Sequence, residues 1–218
     1  DVVYMKTVRG KLKVDCIYRR LDDTFMDPKA FFKGSLIGVP GLFKAWRKGN
    51  VGILNAPGTG IADDKAIYSY VDKMIVYYLG EQPKIQQVET LLCSEKIHRE
   101  HVIENISKFV VKPTNGSGGN GILIGPHASK KNREEMKKNI LKNPRNYIAQ
   151  PLEILSTTPT ITDNSIEPRH LDLRPFVLSG KSTWVTTGGL TRVALKKGST
   201  IVNSSQGGGS KDTMIIDM

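Results

Sequence analysis

The segment that most constrains this chain is Phe109-Val110-Val111-Lys112-Pro113-Thr114-Asn115-Gly116-Ser117-Gly118-Gly119-Asn120-Gly121-Ile122-Leu123-Ile124, a lysine on an apolar run, then a glycine-rich loop and a second apolar run. Glycines at 116, 118, 119 and 121 let the backbone take positive φ and approach an anion closely, so that several N–H groups can face phosphate oxygens while Lys112 adds a charge. The segment therefore reads as a phosphate clamp. Its spacing Gly116-x-Gly118-x-x-Gly121 matches a dinucleotide-binding fingerprint, but that turn, like a Walker loop, has to open a helix, and a Walker loop ends in Gly-Lys-Ser/Thr. Here Ile122-Leu123-Ile124 continues as a short strand stopped by Gly125-Pro126. The order is strand, loop, strand: a hairpin lid over phosphates, with an ordinary glycine-rich hairpin as the bland alternative.

A net charge of +11 and a pI near 9.6 invite a nucleic-acid reading. Much of the excess sits in residues 129–145, where Lys130, Lys131, Arg133, Lys137, Lys138, Lys142 and Arg145 face only Glu134 and Glu135. Met136, Ile140 and Leu141 are spaced for the buried side of a helix, which makes the lysines its solvated side. Aromatic residues do not interleave with these bases, so nucleic acid is the weaker partner. No apolar run approaches membrane-spanning length and no leader pattern opens the sequence, which reads as soluble. Cys16 and Cys93 have neither C-x-x-C spacing nor a shared context, so a disulfide framework or zinc site is not indicated and a reducing cytoplasm fits. The sequence enters on Asp1-Val2-Val3-Tyr4-Met5, as if partway along a strand of something longer.

Four regions follow from the patterning. Residues 1–83 are β/α scaffold: a strand at Val14–Tyr18, a turn at Gly38–Gly41 before a short helix, a buried strand at Val51–Leu54, and a second glycine loop, Asn55-Ala56-Pro57-Gly58-Thr59-Gly60. A helix then carries Ile67, Tyr70, Val71, Met74, Ile75, Tyr78 and Leu79 on one face and closes at Gly80. Asp63 or Asp64 is its N-cap, and Lys65 stands in its first turn, where the helix dipole disfavours a cation unless an anion lies near. Residues 84–108 are a connector with a helix at Ile97–Ile106, in which His98 and His101 read as surface. Residues 109–153 form a lid subdomain. In 154–218, a Thr/Pro/Asn-rich linker at 156–165 precedes strands at 170–178, 183–187, 190–195, 199–202 and 214–216.

In His170-Leu171-Asp172-Leu173-Arg174 the two-residue period places His170, Asp172 and Arg174 on one face. Arg174 and Arg192 are candidate anion binders. Asp172 suits Mg²⁺, the orientation of a cationic side chain, or a structural ion pair. The run Asn203-Ser204-Ser205-Gln206-Gly207-Gly208-Gly209-Ser210-Lys211-Asp212 is a candidate second cradle for phosphate or an oxyanion.

Several long segments in order carry a resemblance: 14–23, Asn55–Gly60 running into Ala62-Asp63-Asp64-Lys65, Val110–Pro113 with its glycine loop, Ala149-Gln150-Pro151, His170–Phe176, Gly189-Leu190-Thr191-Arg192, and 203–212. Together they resemble the circularly permuted ATP-grasp proteins, relatives of the synthetase domain of glutathionylspermidine synthase. The resemblance implies an α+β ATP-grasp fold of two lobes with a glycine-rich hairpin lid, this chain corresponding roughly to the C-terminal half of the family's length. Residues 1–83 and 154–218 would then belong to the core lobe.

By the same resemblance, Lys65 and Lys112 contact ATP phosphates and the loop with Gly116, Ser117, Gly118, Gly119 and Gly121 closes over them. Gln150 and Leu152 would line the hinge that meets adenine. Arg174 and Arg192 would act in catalysis, and Asp22, Asp23 and Asp172 would be the candidate Mg²⁺ ligands. The implied activity is ATP-dependent ligation of a carboxylate to an amine through an acylphosphate. The implied partners are the two substrates and the missing N-terminal half of the same protein. A non-catalytic nucleotide-binding or assembly protein and a basic nucleic-acid binder are the alternatives.

Overall fold

The computed structural model describes residues 1–116, 119–162, 165–204 and 207–215. They form two compact units, one of residues 1–100, 113–115 and 140–148, the other of residues 101–112, 116–139 and 149–218.

In the first unit, β1 (Tyr4–Thr7) and β2 (Gly10–Lys13) make an antiparallel hairpin with Thr7 opposite Gly10. Strand β3 (Cys16–Tyr18) pairs in parallel with β4 (Gly52–Leu54), Ile17 opposite Ile53. A parallel pair needs a crossover, supplied here by α1 (Asp23–Met26) and α2 (Leu42–Arg47). The core is what this crossover covers: Met26, Leu42, Ala45, Val51 and Ile53 are buried, with Val3, Val14, Ile17, Phe43 and Trp46 packed against them. Asp27, 1% exposed, ties the crossover to α2. Its Oδ1 accepts from the N–H of Lys29 (2.9 Å) and Gly41 (3.0 Å), and its Oδ2 from Phe43 N–H (3.0 Å).

The helix expected to run to Gly80 is broken in two, α3 (Lys65–Tyr68) and α4 (Val71–Leu79). The break has a local cause. Ser69 Oγ donates back to Ala66 C=O at 2.8 Å, and the N–H groups of Ser69 and Tyr70 bond three residues back, to Ala66 and Ile67, which is tighter than an α-turn. Gly80 ends α4 with φ of 66° and an N–H bond to Val76 C=O. The expected apolar face forms but stays open, with Met74, Tyr78 and Leu79 exposed. Further on come β5 (Leu91–Leu92), which lies beside the opening of β8 (Tyr147–Pro151) with Cys93 N–H on Tyr147 C=O, and α5 (Lys96–Glu104). His98 is half-buried rather than superficial, since Nδ1 accepts from Leu92 N–H at 3.3 Å. Burial pushes the Cys93 thiol up to about 11.

In the second unit, β6 (Phe109–Pro113) and β7 (Leu123–Ile124) pair antiparallel, Val110 opposite Ile124 and Val111 opposite Leu123. This is the expected hairpin. Gly125 follows it with no room for a side chain: a Cβ there would lie 1.9 Å from Ile106 O and 2.6 Å from Phe109 O. Gly125→Ala is therefore expected to cost about 2 kcal/mol, as overpacking against backbone does. A lowered urea midpoint with unchanged slope in the full-length protein would show it, and an unmoved midpoint would mean the 106–109 backbone yields. Helix α6 (Lys130–Lys142) buries Ile140 and half-buries Met136. Leu141, grouped with them from sequence, is 59% exposed because it follows Met136 by five residues, off the i, i+4 face.

Downstream, β9 (Thr157–Ile161), β10 (Ile166–Ser179), β11 (Thr183–Ala194) and β12 (Gly208–Lys211) form an antiparallel sheet in the order β12-β11-β10-β9. Three local expectations change here. The 156–165 linker contains β9, whose β-branched Thr157, Thr158, Thr160 and Ile161 outweigh Pro159 on an edge strand. The separate runs at 183–187 and 190–195 are one strand, β11, running through Gly188 and Gly189. The glycine-rich run at 203–212 contains β12, where a Cβ on Gly208 would lie 2.2 Å from Val202 O, while Gly207 has φ of 87° with open space beside it and Ser205 and Gln206 lie outside the described residues. Residues 199–202 are not a strand, nor are Met214 and Ile215; Ile216 lies outside the described residues.

Candidate functional site

Most of the residues nominated from sequence gather in separate places, each with its own geometry. In the first unit, the chain leaving β4 turns through 55–60, and Arg19 holds that turn. Arg19 Nε donates to Asn55 C=O (2.6 Å), Nη1 to Leu21 C=O (2.6 Å) and Nη2 to Ala56 C=O (3.0 Å), and Nη2 also meets Asp23 Oδ1 at 2.6 Å. The other Asp23 oxygen accepts from Gly58 N–H at 2.9 Å, Gly58 having φ of 91°. Asp22 caps α1 through Thr24 N–H at 2.8 Å, a bond that draws its carboxyl below the ordinary value. Between Arg19–Asp23 on one side and Thr59–Asp63 on the other lies a polar cleft of about 490 Å³.

Asp64, rather than Asp63, is the N-cap of α3: Oδ1 accepts from Ala66 N–H at 2.9 Å and Oδ2 from Arg145 Nη2 at 2.6 Å. The Arg145 hydrogen bond is the chief reason this carboxyl is lowered, against the opposing effect of burial. Lys65 N–H donates to Thr114 C=O at 3.0 Å, and Thr114 N–H to Asn146 C=O at 2.9 Å. The backbone of Lys65 is thus fastened to the residue from which the glycine-rich loop springs, and Thr114 is buried at 2% exposure.

In the second unit, Lys112 extends from β6 and its Nζ donates to Gln150 Oε1, on β8, at 2.7 Å. Gln150 is buried and Leu152 half-buried. In the loop, Gly116, Gly119 and Gly121 have φ of 121°, 82° and 72°, a region L side chains rarely enter. Ser117 and Gly118 lie outside the described residues. On the sheet, Asp172 sits directly opposite Arg192, which in turn sits opposite Ser210. The Asp172–Arg192 pair is bidentate, Nε on Oδ1 at 2.8 Å and Nη2 on Oδ2, and donating to Asp172 raises the guanidinium. Arg174 is exposed, two residues along from Asp172 on β10 and opposite Leu190.

Both oxygens of Asp172 thus accept from Arg192, whereas on Asp23 only Oδ2 accepts a hydrogen bond, from Gly58 N–H, and Oδ1 is in ion-pair contact with Arg19. Among the described residues no three His, Cys, Asp or Glu side chains gather as a metal site. These carboxylates do not by themselves make a fit for Mg²⁺. Sequence reasoning passed over Arg19, Arg145 and Asp27. Arg19 had a signal, an aspartate four residues on in an Arg-Arg-x-Asp-Asp run; Arg145 had none, since Asp64 is 81 residues away.

The chain matches the family profile described as "Circularly permuted ATP-grasp type 2" over residues 1–194. An uncharacterized protein of Synechocystis is 53% identical over 97% of this chain and 44% of its own length. An uncharacterized protein of Mycobacterium tuberculosis is 51% identical over 98% of this chain and 39% of its own. A protein of Frankia casuarinae named "Putative glutamate--cysteine ligase 2-2" is 47% identical over 99% of this chain and 25% of its own. The chain spans less than half the length of these relatives.

Proposed function

The chain belongs to the circularly permuted ATP-grasp family, and from that premise we propose that it is the ATP-binding portion of a carboxylate–amine ligase. The carrying observation is Lys112 at the end of an apolar strand, immediately before a hairpin loop whose described glycines have positive φ. Such a loop turns N–H groups toward phosphate oxygens, and Lys112 supplies charge at the β/γ end of ATP.

In this reading the γ-phosphoryl group passes to a carboxylate oxygen and ADP leaves. An amine then attacks the acyl carbon, forming the C–N bond and releasing phosphate and a proton. The chain's own part is positioning and charge stabilisation: Gln150 orients Lys112, Asp172 orients Arg192, and Arg174 and Arg192 face the developing negative charge. ATP and Mg²⁺ are general to the family.

The test is an ADP-release screen of the full-length protein against pairs of carboxylates and amines, including amino acids, peptides and polyamines. Release that requires both members of a pair supports the ligase reading. ATP binding with silence across the screen would sink it in favour of a non-catalytic nucleotide-binding protein. No helix among the described residues is long and apolar enough to cross a membrane.

A further inference from the structure

The cleft of the first unit holds charges that its architecture does not use. Arg19 and Asp23 neutralise each other and brace the turn after β4. What remains on the walls is Arg20, Asp22 and Asp63. Among the described residues, neither the Arg20 guanidinium nor the Asp63 carboxylate makes a hydrogen bond or ion pair, and both are exposed to the cleft's solvent. Asp22 accepts from Thr24 alone, its N–H first and its hydroxyl second, and these bonds hold the carboxyl below its ordinary value. One cation and two anions therefore line one cavity without pairing among themselves, leaving a charge of −1. A volume of about 490 Å³ has room for an amino acid or a short peptide end.

We propose that this cleft binds a basic α-amino acid, its carboxylate on Arg20 and its cationic groups on Asp22 and Asp63. A guanidinium matches a carboxylate with two parallel hydrogen bonds, and two carboxylates match an α-ammonium and a side-chain cation. The same charges select against the neighbouring chemistries. A diamine leaves Arg20 unanswered, and an acidic amino acid sets its second carboxylate against Asp22 or Asp63. Binding does not depend on the ligase reading, but the role does: within that reading, the ligand is the amine substrate.

The test is calorimetric titration of the full-length protein, without ATP, with L-lysine, its decarboxylated analogue cadaverine, and L-glutamate. L-lysine is expected to bind at least about tenfold more tightly than cadaverine, the discrimination a charge-assisted hydrogen bond supplies, and L-glutamate more weakly than either. Arg20→Gln should bring L-lysine down to the level of cadaverine while leaving cadaverine unchanged. Asp63→Asn should weaken both amines. Arg20→Lys should restore part of the preference, which a merely misfolded cleft could not do. Absence of L-lysine binding, equal affinity for L-lysine and cadaverine, or L-lysine affinity untouched by Arg20→Gln overturns the proposal. Because no turnover is read, these results stand apart from the ADP-release screen.

Discussion

Asp27→Ala is expected to destabilise the first unit by about 3 kcal/mol. The carboxylate is buried and answers three backbone N–H groups, and a buried donor left without its acceptor costs about 1–3 kcal/mol. Those of Gly41 and Phe43 lie in half-buried residues at the start of α2, where water substitutes poorly; Lys29 is exposed and recovers more. Asp27→Asn should fall between, since the amide oxygen can serve Lys29 and Gly41 but the NH₂ group then faces Phe43 N–H, donor against donor.

The same geometry fixes the sign of a pH effect. Burial on its own would raise this carboxyl, yet the N–H bonds from Gly41, Lys29 and Phe43 together hold it below its ordinary 3.8. A depressed folded value means that the contribution is complete above 3.8 and is lost as the pH falls through the folded value. Trp46 packs on this core, so its fluorescence in a Trp184→Phe background follows unfolding of this unit in urea. Equal midpoints for wild type and Asp27→Ala at pH 7 would show that the loop between α1 and α2 finds other acceptors.

The hairpin around the glycine loop, the short helix at 42–47, the strands at 16–18 and 52–54 and the Gly80 stop were legible because each rests on a local pattern. Apolar runs bounded by turn residues specify them whatever the rest of the chain does. What failed from sequence depends on partners. β9 and β12 are polar, Thr-rich and Gly-rich, and become strands only because β10 and β11 offer them an edge. The break between α3 and α4 turns on one hydroxyl choosing a backbone carbonyl. In the site, residue types were readable but pairings were not. Arg19 answering Asn55 and Ala56, and Lys112 answering Gln150, are separated by 36 to 38 residues and have no periodic signature.

The open apolar faces have a common physical reading. A single folded chain of 24.1 kDa exposes about 10,000 Å², and two bodies of half that mass about 12,000 Å². This chain exposes 16108 Å². Among the uncovered residues are Tyr77, Tyr78 and Leu79 on α4, and Phe176, Leu178 and Trp184 on the β10–β11 hairpin. The relatives of which this chain spans 44% and 39% are more than twice as long and carry additional polypeptide.

Lys112→Ala is expected to weaken ATP binding by about 100-fold in that full-length protein. Nζ lies 2.7 Å from Gln150 Oε1, which orients it without neutralising it. An ammonium held in this way can donate to a phosphate oxygen, and a charge-assisted hydrogen bond of that kind contributes about 1.5–3 kcal/mol. Lys112→Met retains most of the stem and its packing on β6, so it should lose affinity as Lys112→Ala does while unfolding like wild type. Lys112→Arg should recover only part, because a planar fork cannot occupy the place of a compact ammonium against Gln150. The measurement is the equilibrium Kd for ATP with Mg²⁺ at two salt concentrations. Unchanged ATP affinity in Lys112→Met would remove the lysine from the phosphate site and leave the hairpin as structure alone. ATP binding lost together with a lowered unfolding midpoint would assign Lys112 to the packing of β6 against β8. Loss of affinity at constant stability is the result that needs a phosphate at Lys112.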